Sequence, residues 1–354
     1  MLDVTMKIVI LQNENPLDSI RWEKACNKSK HRIEHFKISV LSNSWLEKIQ
    51  EINPHIILTK PGGISSFYKN VYDERLMILA NELQYFCFPS FREVMFYENK
   101  KYLSYWLKAN NIPHPSTVVF YNKYEALDWL VSASFPLVGK TNIGASGSGV
   151  KILKDKATAE KYIFNAFSKK GLGRRIGPNL AKGGLLKRGI KYVFSPKSIM
   201  QKIKKYNVIS SEIQQGFILL QNYVPHNFEW RVVRMGDSFF AHKKVKKGEK
   251  TSGSLIKEYS EPPTELLDFV KNITDKHSLF SQAVDLFEGD SGYLINEMQC
   301  IFGQSDPYQM LINGEPGRYI SKSGRWIFQS GDFNTNESFD LRLETAINLY
   351  RNRY

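Results

Sequence analysis

Two carboxylates set inside apolar strands constrain this chain more than any other feature. Asp285 stands in Ala283-Val-Asp285-Leu-Phe, and Glu297 in Leu294-Ile-Asn-Glu297-Met-Gln299. Carboxylates among Val284, Leu286, Leu294 and Ile295 need partners, because an isolated buried charge is strongly disfavoured. Glu288–Gly292 reads as a hairpin turn, so these two strands pair and Asp285 can lie beside Glu297. Glu297 and Gln299 are two apart on one strand and share a face. Two carboxylates and an amide oxygen on one face suit Mg²⁺, which takes one or two protein carboxylates plus substrate phosphates. An ordinary solvated sheet face is the plainer reading, and the apolar neighbours weaken it.

The rest of the chain surrounds that hairpin with mixed structure. Short apolar runs at Lys7–Leu11, Lys37–Leu41, His55–Thr59 and Tyr85–Pro89 alternate with helical stretches at Ser44–Ile52 and Asp73–Gln84. That alternation predicts a small parallel sheet with helices on its faces. A helix is predicted over Glu98–Asn110, ended by Asn110-Asn111 and Pro113. Short strands follow at Thr117–Tyr121, Phe135–Lys140 and Val150–Leu153, then Phe217–Tyr223, Glu229–Met235 and Ser238–Lys243, with Gly236-Asp237 as a hairpin turn. Helices are predicted over Pro263–His277 and Leu341–Tyr350. With 354 residues, two or three packed units are expected. We divide the chain into 1–96, 97–215 and 216–354.

Charge narrows the choice of partner. Lys and Arg number 49 against 35 Asp and Glu, a net charge of +14. Residues 161–211 hold thirteen of those cations and no acid. Such a balance points to a polyanion. Few aromatics interleave the densest part, which disfavours nucleic acid. A solvated lysine-rich surface and a clamp for an acidic acceptor fit the interval equally. Three scattered cysteines, Cys26, Cys87 and Cys300, form neither a disulfide framework nor a zinc site. No apolar run reaches the length of a membrane span. The N-terminus lacks the layout of a secretory signal, so a cytoplasmic location is expected. Whether the chain forms a homo-oligomer is left open.

Three further segments carry candidate chemistry. Gly144-Ala145-Ser146-Gly147-Ser148-Gly149 is bounded by strands. Its glycines could press backbone N–H groups onto phosphate oxygens. Val150 stands where a Walker lysine would follow, and a plain Gly/Ser hairpin fits as well. Lys140, at the end of the preceding strand, could meet phosphates that the loop covers. Gln221-Asn222-Tyr223-Val224 leads through a Pro-containing turn to Glu229-Trp-Arg231. Adenine could lie against this backbone and Glu229 could accept from ribose hydroxyls; a hairpin with a charged pair explains the same residues.

In order and spacing these pieces resemble the ATP-grasp family, in the branch of the ribosomal-protein glutamate ligase and D-alanine–D-alanine ligase. The resemblance runs from about Tyr97 to Gln304. Tyr97-Glu-Asn-Lys100 followed by Asn110-Asn-Ile-Pro-His-Pro115 is similar to the family's lysine, helix and G-I-P-x-P. Phe135-Pro-Leu-Val-Gly-Lys140 is similar to its F-P-x-V-x-K strand, and Gly144–Gly149 to its phosphate-covering loop. Gln221–Val224 resembles its adenine hinge, Glu229-Trp-Arg231 its D-x-R, Lys243-Lys244 its basic strand end, and Asp285…Glu297-Met-Gln299 its D…E-x-N metal set.

The resemblance implies an ATP-grasp fold, mixed α/β and α+β, with an N-terminal Rossmann-like pre-grasp domain. It implies ATP and Mg²⁺ as cofactors. Lys100 and Lys140 would hold α/β-phosphates, and Asp285, Glu297 and Gln299 would hold the metal. Arg231 would steady an acyl phosphate, with the Gly303 backbone N–H beside it. The implied activity is a carboxylate–amine ligase acting on small molecules; the basic interval, read as a clamp, would suit an anionic sugar or nucleotide-linked acceptor. A kinase of the same architecture and a nucleotide-binding protein without turnover are the alternatives. Gln299 replaces the family's Asn and Phe302 a frequent Pro, which leaves the acceptor open. Cys300 reads as packing rather than as a nucleophile.

Overall fold

The computed structural model describes residues 5–144, 147–174, 206–246, 256–289, 292–302 and 306–353. Ala145, Ser146, Gly303 and the part 175–205 of the basic interval lie outside them. The first sheet has the order β2-β1-β3-β4, with every pair parallel. Its strands are β1 (Met6–Gln12), β2 (Ile33–Ser39), β3 (Ile56–Thr59) and β4 (Cys87–Phe88). Parallel strands need both faces covered, which explains the unbroken apolar run of β3, buried at all four positions. Helices α1 (Ile20–Lys28), α2 (Trp45–Ile52) and α3 (Ser66–Met77) supply the cover through Trp22, Ile49 and Tyr72.

Boundaries moved where caps or edges decide them. The second strand is Ile33–Ser39, not Lys37–Leu41. It is an edge strand, buried on one side, so its apolar signal is weak. Helix α3 starts well before Asp73 because the Ser65 side chain accepts from the Tyr68 N–H. The helix expected from Glu98 begins at Lys100. Helix α4 (Phe91–Phe96), opened by a Ser90/Glu93 capping box, precedes α5 (Lys100–Ala109), whose N-cap is Asn99. Glu98, in left-handed backbone (φ 48°), separates them.

The second sheet runs β5-β10-β6-β7, all antiparallel. Its strands are β5 (Thr117–Phe120), β6 (Leu137–Lys140), β7 (Val150–Leu153) and β10 (Ile218–Asn222), and a short ladder joins β8 (Leu172–Gly173) to β9 (Ile213–Gln214). Helices α6 (Lys123–Trp129) and α7 (Lys156–Ala166) close its core with Ala126, Tyr162 and Ile163. Strand β10 belongs to this sheet, although the sequence division began the last unit at 216.

The third sheet is antiparallel, in the order β15-β14-β11-β12-β17-β16. It contains β11 (Phe228–Met235), β12 (Ser238–Val245), β13 (Lys257–Glu258), β14 (Ser281–Gly289), β15 (Gly292–Gln299), β16 (Leu311–Ile312), β17 (Glu315–Lys322) and β18 (Arg325–Ser330). Helix α8 (Thr264–Lys276) packs Leu266, Leu267 and Val270 into its core beside Leu103 and Leu107 of α5. The closing helix α9 (Phe339–Arg353) crosses back to the first unit, with Phe339 edge-on to Trp22 at 4.8 Å. Among the described residues no helix is long and apolar enough to cross a membrane.

Candidate nucleotide site between the second and third sheets

Register decides which side chains meet. On β11, β12, β14 and β15, Glu229 lies opposite Lys244, Arg231 opposite His242 and Asp285, and Asp285 opposite Glu297. Residues directly opposite share a face, so these groups line one surface of the third sheet. The side-by-side placement of Asp285 and Glu297 is as the hairpin pattern predicts. Arg231 grips Asp285 with two bonds, Nε to Oδ1 at 2.7 Å and Nη2 to Oδ2 at 2.8 Å. Lys244 Nζ donates to Asp285 Oδ2 at 2.7 Å and to Glu229 Oε2 at 2.5 Å.

The electrostatics follow from this geometry. Burial alone would raise the Asp285 carboxyl, but Arg231 and Lys244 hold it well below the usual carboxylate range. Burial would lower both cations; Asp285, with Glu229, carries them upward instead. His242, behind Arg231, is driven down to about 3 by burial and then by the neighbouring cations. It stays neutral, against the Gln309 carbonyl at 3.2 Å.

Lys243 belongs elsewhere. Strand alternation puts it on the opposite face from Lys244, over the rings of Phe228 and Trp230 at 4.6 and 5.2 Å and 3.5 Å from Glu258. Of the basic pair, only Lys244 reaches the cleft face.

A bulge between Asp285 and Leu286 adds a residue that strand alternation hides. β15 there places Asn296 as an extra residue between the partners of Asp285 and Leu286. Asn296 Nδ2 donates to Glu229 Oε1 at 3.1 Å, and its Oδ1 accepts from Lys140 Nζ at 2.9 Å. Lys140 ends β6 of the second sheet, so this amide spans the gap between the sheets. Burial first, then the Lys100 charge, lowers Lys140 to about 8, against the pull of Glu297 and Glu229.

Gly144, Gly147 and Gly149 lie in the connection between β6 and β7, where Lys140 is opposite Val150. The base of this connection is stapled by Thr141 N–H to the Gly149 carbonyl at 2.8 Å. A side chain on Gly149 would strike Thr141 Oγ1, and Gly147 is left-handed (φ 67°), so both positions favour glycine. Glu98 Oε2 accepts from the Gly144 N–H at 2.6 Å, and Lys100 Nζ donates to the Gly144 carbonyl at 3.2 Å. Lys100 also stands 3.9 Å from Glu297 Oε1. Glu98 and Asn296 are the residues that motif reading missed. Glu98 sits inside the quoted Tyr97–Lys100 segment with no role given; the bulge at Asn296 leaves no trace in the pattern.

The segment Gln221–Val224 straddles the end of β10. Gln221 is inside β10, its Nε2 donating to Thr117 Oγ1 at 3.0 Å, while Tyr223 and Val224 lie past the last paired residue, Asn222. The segment thus joins the second sheet to β11. Lys246 Nζ donates to the Tyr223 hydroxyl at 2.8 Å.

For a metal, the donors divide. Among the described residues no group of three or more His, Cys, Asp or Glu is placed to hold an ion. Asp285 has both oxygens on Arg231 and Lys244, so here it anchors two cations. Glu297 is partly exposed, with Gln299 Nε2 on its Oε1 at 3.0 Å. A carboxylate and an amide side by side fit a hard cation completed by phosphate oxygens.

No family model and no curated protein sequence matches this chain. Solved structures do. D-alanine–D-alanine ligase of Bacillus anthracis matches with a TM-score of 0.52 at 15% identity, over 99% of this chain and 100% of that one. N5-carboxyaminoimidazole ribonucleotide synthetase of Thermotoga maritima matches with a TM-score of 0.54 at 14% identity, over 97% and 76%. A RimK domain ATP-grasp protein of Sphaerobacter thermophilus matches with a TM-score of 0.50 at 14% identity, over 84% and 93%. Motif order, the facing sheets and these likenesses agree: the chain has the ATP-grasp fold, with a Rossmann-like pre-grasp unit at its N-terminus.

Proposed function

We propose that this protein is an ATP- and Mg²⁺-dependent carboxylate–amine ligase that works through an acyl phosphate. The observation that carries this reading is the 2.9 Å contact from Lys140 of the second sheet to Asn296 of the third. It holds the end of β6 against the carboxylate-bearing face of the third sheet, which supports reading the two as one nucleotide site. The similar Bacillus anthracis D-alanine–D-alanine ligase has been solved with ATP, which supports placing a nucleotide there.

In this reading Lys100 and Lys140 bind phosphate oxygens, and the Gly144–Gly149 hairpin covers them and excludes water. Residues Gln221–Val224 present backbone to adenine, and Glu229 accepts from ribose. Glu297 and Gln299 would hold Mg²⁺, which when bound supplies charge neutralisation for phosphoryl transfer. Asp285 fixes the Arg231 guanidinium, whose planar fork is suited to a developing oxyanion. Small carboxylates and amines are the proposed substrates. With the basic interval read as a clamp, the acceptor would be anionic, such as a sugar acid or a nucleotide-linked one.

The test is turnover with ATP, Mg²⁺, candidate carboxylates and hydroxylamine as surrogate amine. A ligase releases phosphate and leaves a hydroxamate. Transfer to an alcohol with no phosphate released would make the protein a kinase, and absence of ADP with any carboxylate would make it a nucleotide-binding protein.

A further inference from the structure

Arg342 on α9 is fully enclosed, and among the described residues its Nε, Nη1 and Nη2 have no hydrogen-bond partner and no anion bonded to them. The guanidinium lies over the rings of Phe302 at 4.4 Å and Phe339 at 4.8 Å. Ring faces attract a cation, but they satisfy none of its N–H donors. The carboxylates within electrostatic range are engaged elsewhere. Glu93 accepts from Ser90 and from the Ser281 N–H, and Glu337 pairs with Arg21. The Cys300 thiol, also near, is pushed up by burial and stays neutral. Burial pulls Arg342 itself down to about 10, so it remains charged at neutral pH.

Two further observations point the same way. Arg342 is the fourth residue of α9, in the first turn. The helix dipole there favours anions and opposes a cation. The approach to that turn is strained: Asn336, Glu337 and Ser338 hold φ of 53°, 55° and 62° in succession. Left-handed backbone is costly for residues with side chains and persists where the surroundings enforce it.

We propose that Arg342 and the first turn of α9 form a buried site for a small oxyanion, a carboxylate or a phosphate, beside Phe302. The proposal uses none of the residues assigned to the nucleotide and stands whether or not the ligase reading holds. Inorganic phosphate is the probe, with chloride at equal ionic strength as control.

In phosphate-free buffer Arg342→Met removes an uncompensated charge and should raise the melting temperature by about 2–4 °C. Added phosphate should stabilise the wild type more than Arg342→Met, since a ligand of the native state stabilises by mass action. Lys140→Met should keep that Arg342-dependent difference, which separates the site from the cleft. Equal phosphate responses in wild type and Arg342→Met would overturn the proposal, as would a lower melting point for Arg342→Met without phosphate. If the variant does not fold, wild-type crystals soaked in selenate decide: anomalous density on the guanidinium supports the site, and density in the nucleotide cleft alone overturns it.

Discussion

The two walls of the cleft treat their cations in opposite ways. On the third sheet, Arg231 and Lys244 share Asp285 and are raised by it. On the second sheet, Lys140 donates to a neutral amide, and burial outweighs the more distant Glu297 and Glu229 and lowers it to about 8. A cation already matched by a carboxylate is held in place and gains little from another anion. One buried against an amide is short of negative charge and gains a great deal. In the proposed function, this difference is why the third sheet is given the orienting role and the second the phosphate.

The largest expected effect tests the third sheet. Asp285→Asn strands two buried cations, and breaking a buried pair costs about 3–5 kcal/mol. Urea unfolding should show that loss, with hydroxamate formation abolished. A variant of wild-type stability would mean that Asp285 does not anchor this wall. Next is Lys140→Met, which should weaken ATP binding about ten- to a hundredfold, the range of one charge-assisted hydrogen bond, in calorimetric titration. Its stability should hold or rise, the reverse of Asp285→Asn.

Titration sharpens the contrast. Lys140 loses its proton as pH rises through about 8, so ATP affinity should fall above that pH. Its folded value lies below the unfolded one of about 10.4, so between the two the unfolded chain binds more protons. Stability from this group therefore rises with pH from 8 to 10.4 while affinity falls. Lys140→Arg should abolish the affinity inflection; an inflection that survives belongs to another group. The smallest effect is Asn296→Ala, expected to cost about 1–3 kcal/mol through the unsatisfied Glu229 and Lys140 it leaves. A double-mutant cycle with Lys140→Met checks it, and strict additivity would deny the link between the walls.

Much of this arrangement was legible in the sequence. Unbroken apolar runs announced the parallel sheet, and two carboxylates inside apolar strands announced a face that needed partners. Period-two alternation also separates Lys244 from Lys243, although the motif Lys243-Lys244 joined them. Asn296 was out of reach, because a bulge changes which face a residue takes without changing any residue. The site of β10 was hidden for a related reason. An apolar strand does not reveal which sheet it joins, and β10 pairs with β5 and β6 rather than with its neighbour β11. Nothing in the sequence marks Arg342; α9 places it, buried, over the rings of Phe302 and Phe339.

The most direct test of the shared cleft is a crystal structure with Mg²⁺ and a non-hydrolysable ATP analogue. The account predicts phosphate oxygens on Lys140 Nζ, the Gly144–Gly149 hairpin over them, and the metal on Glu297. A nucleotide bound away from Lys140, or a metal away from Glu297 with that nucleotide in place, would contradict it.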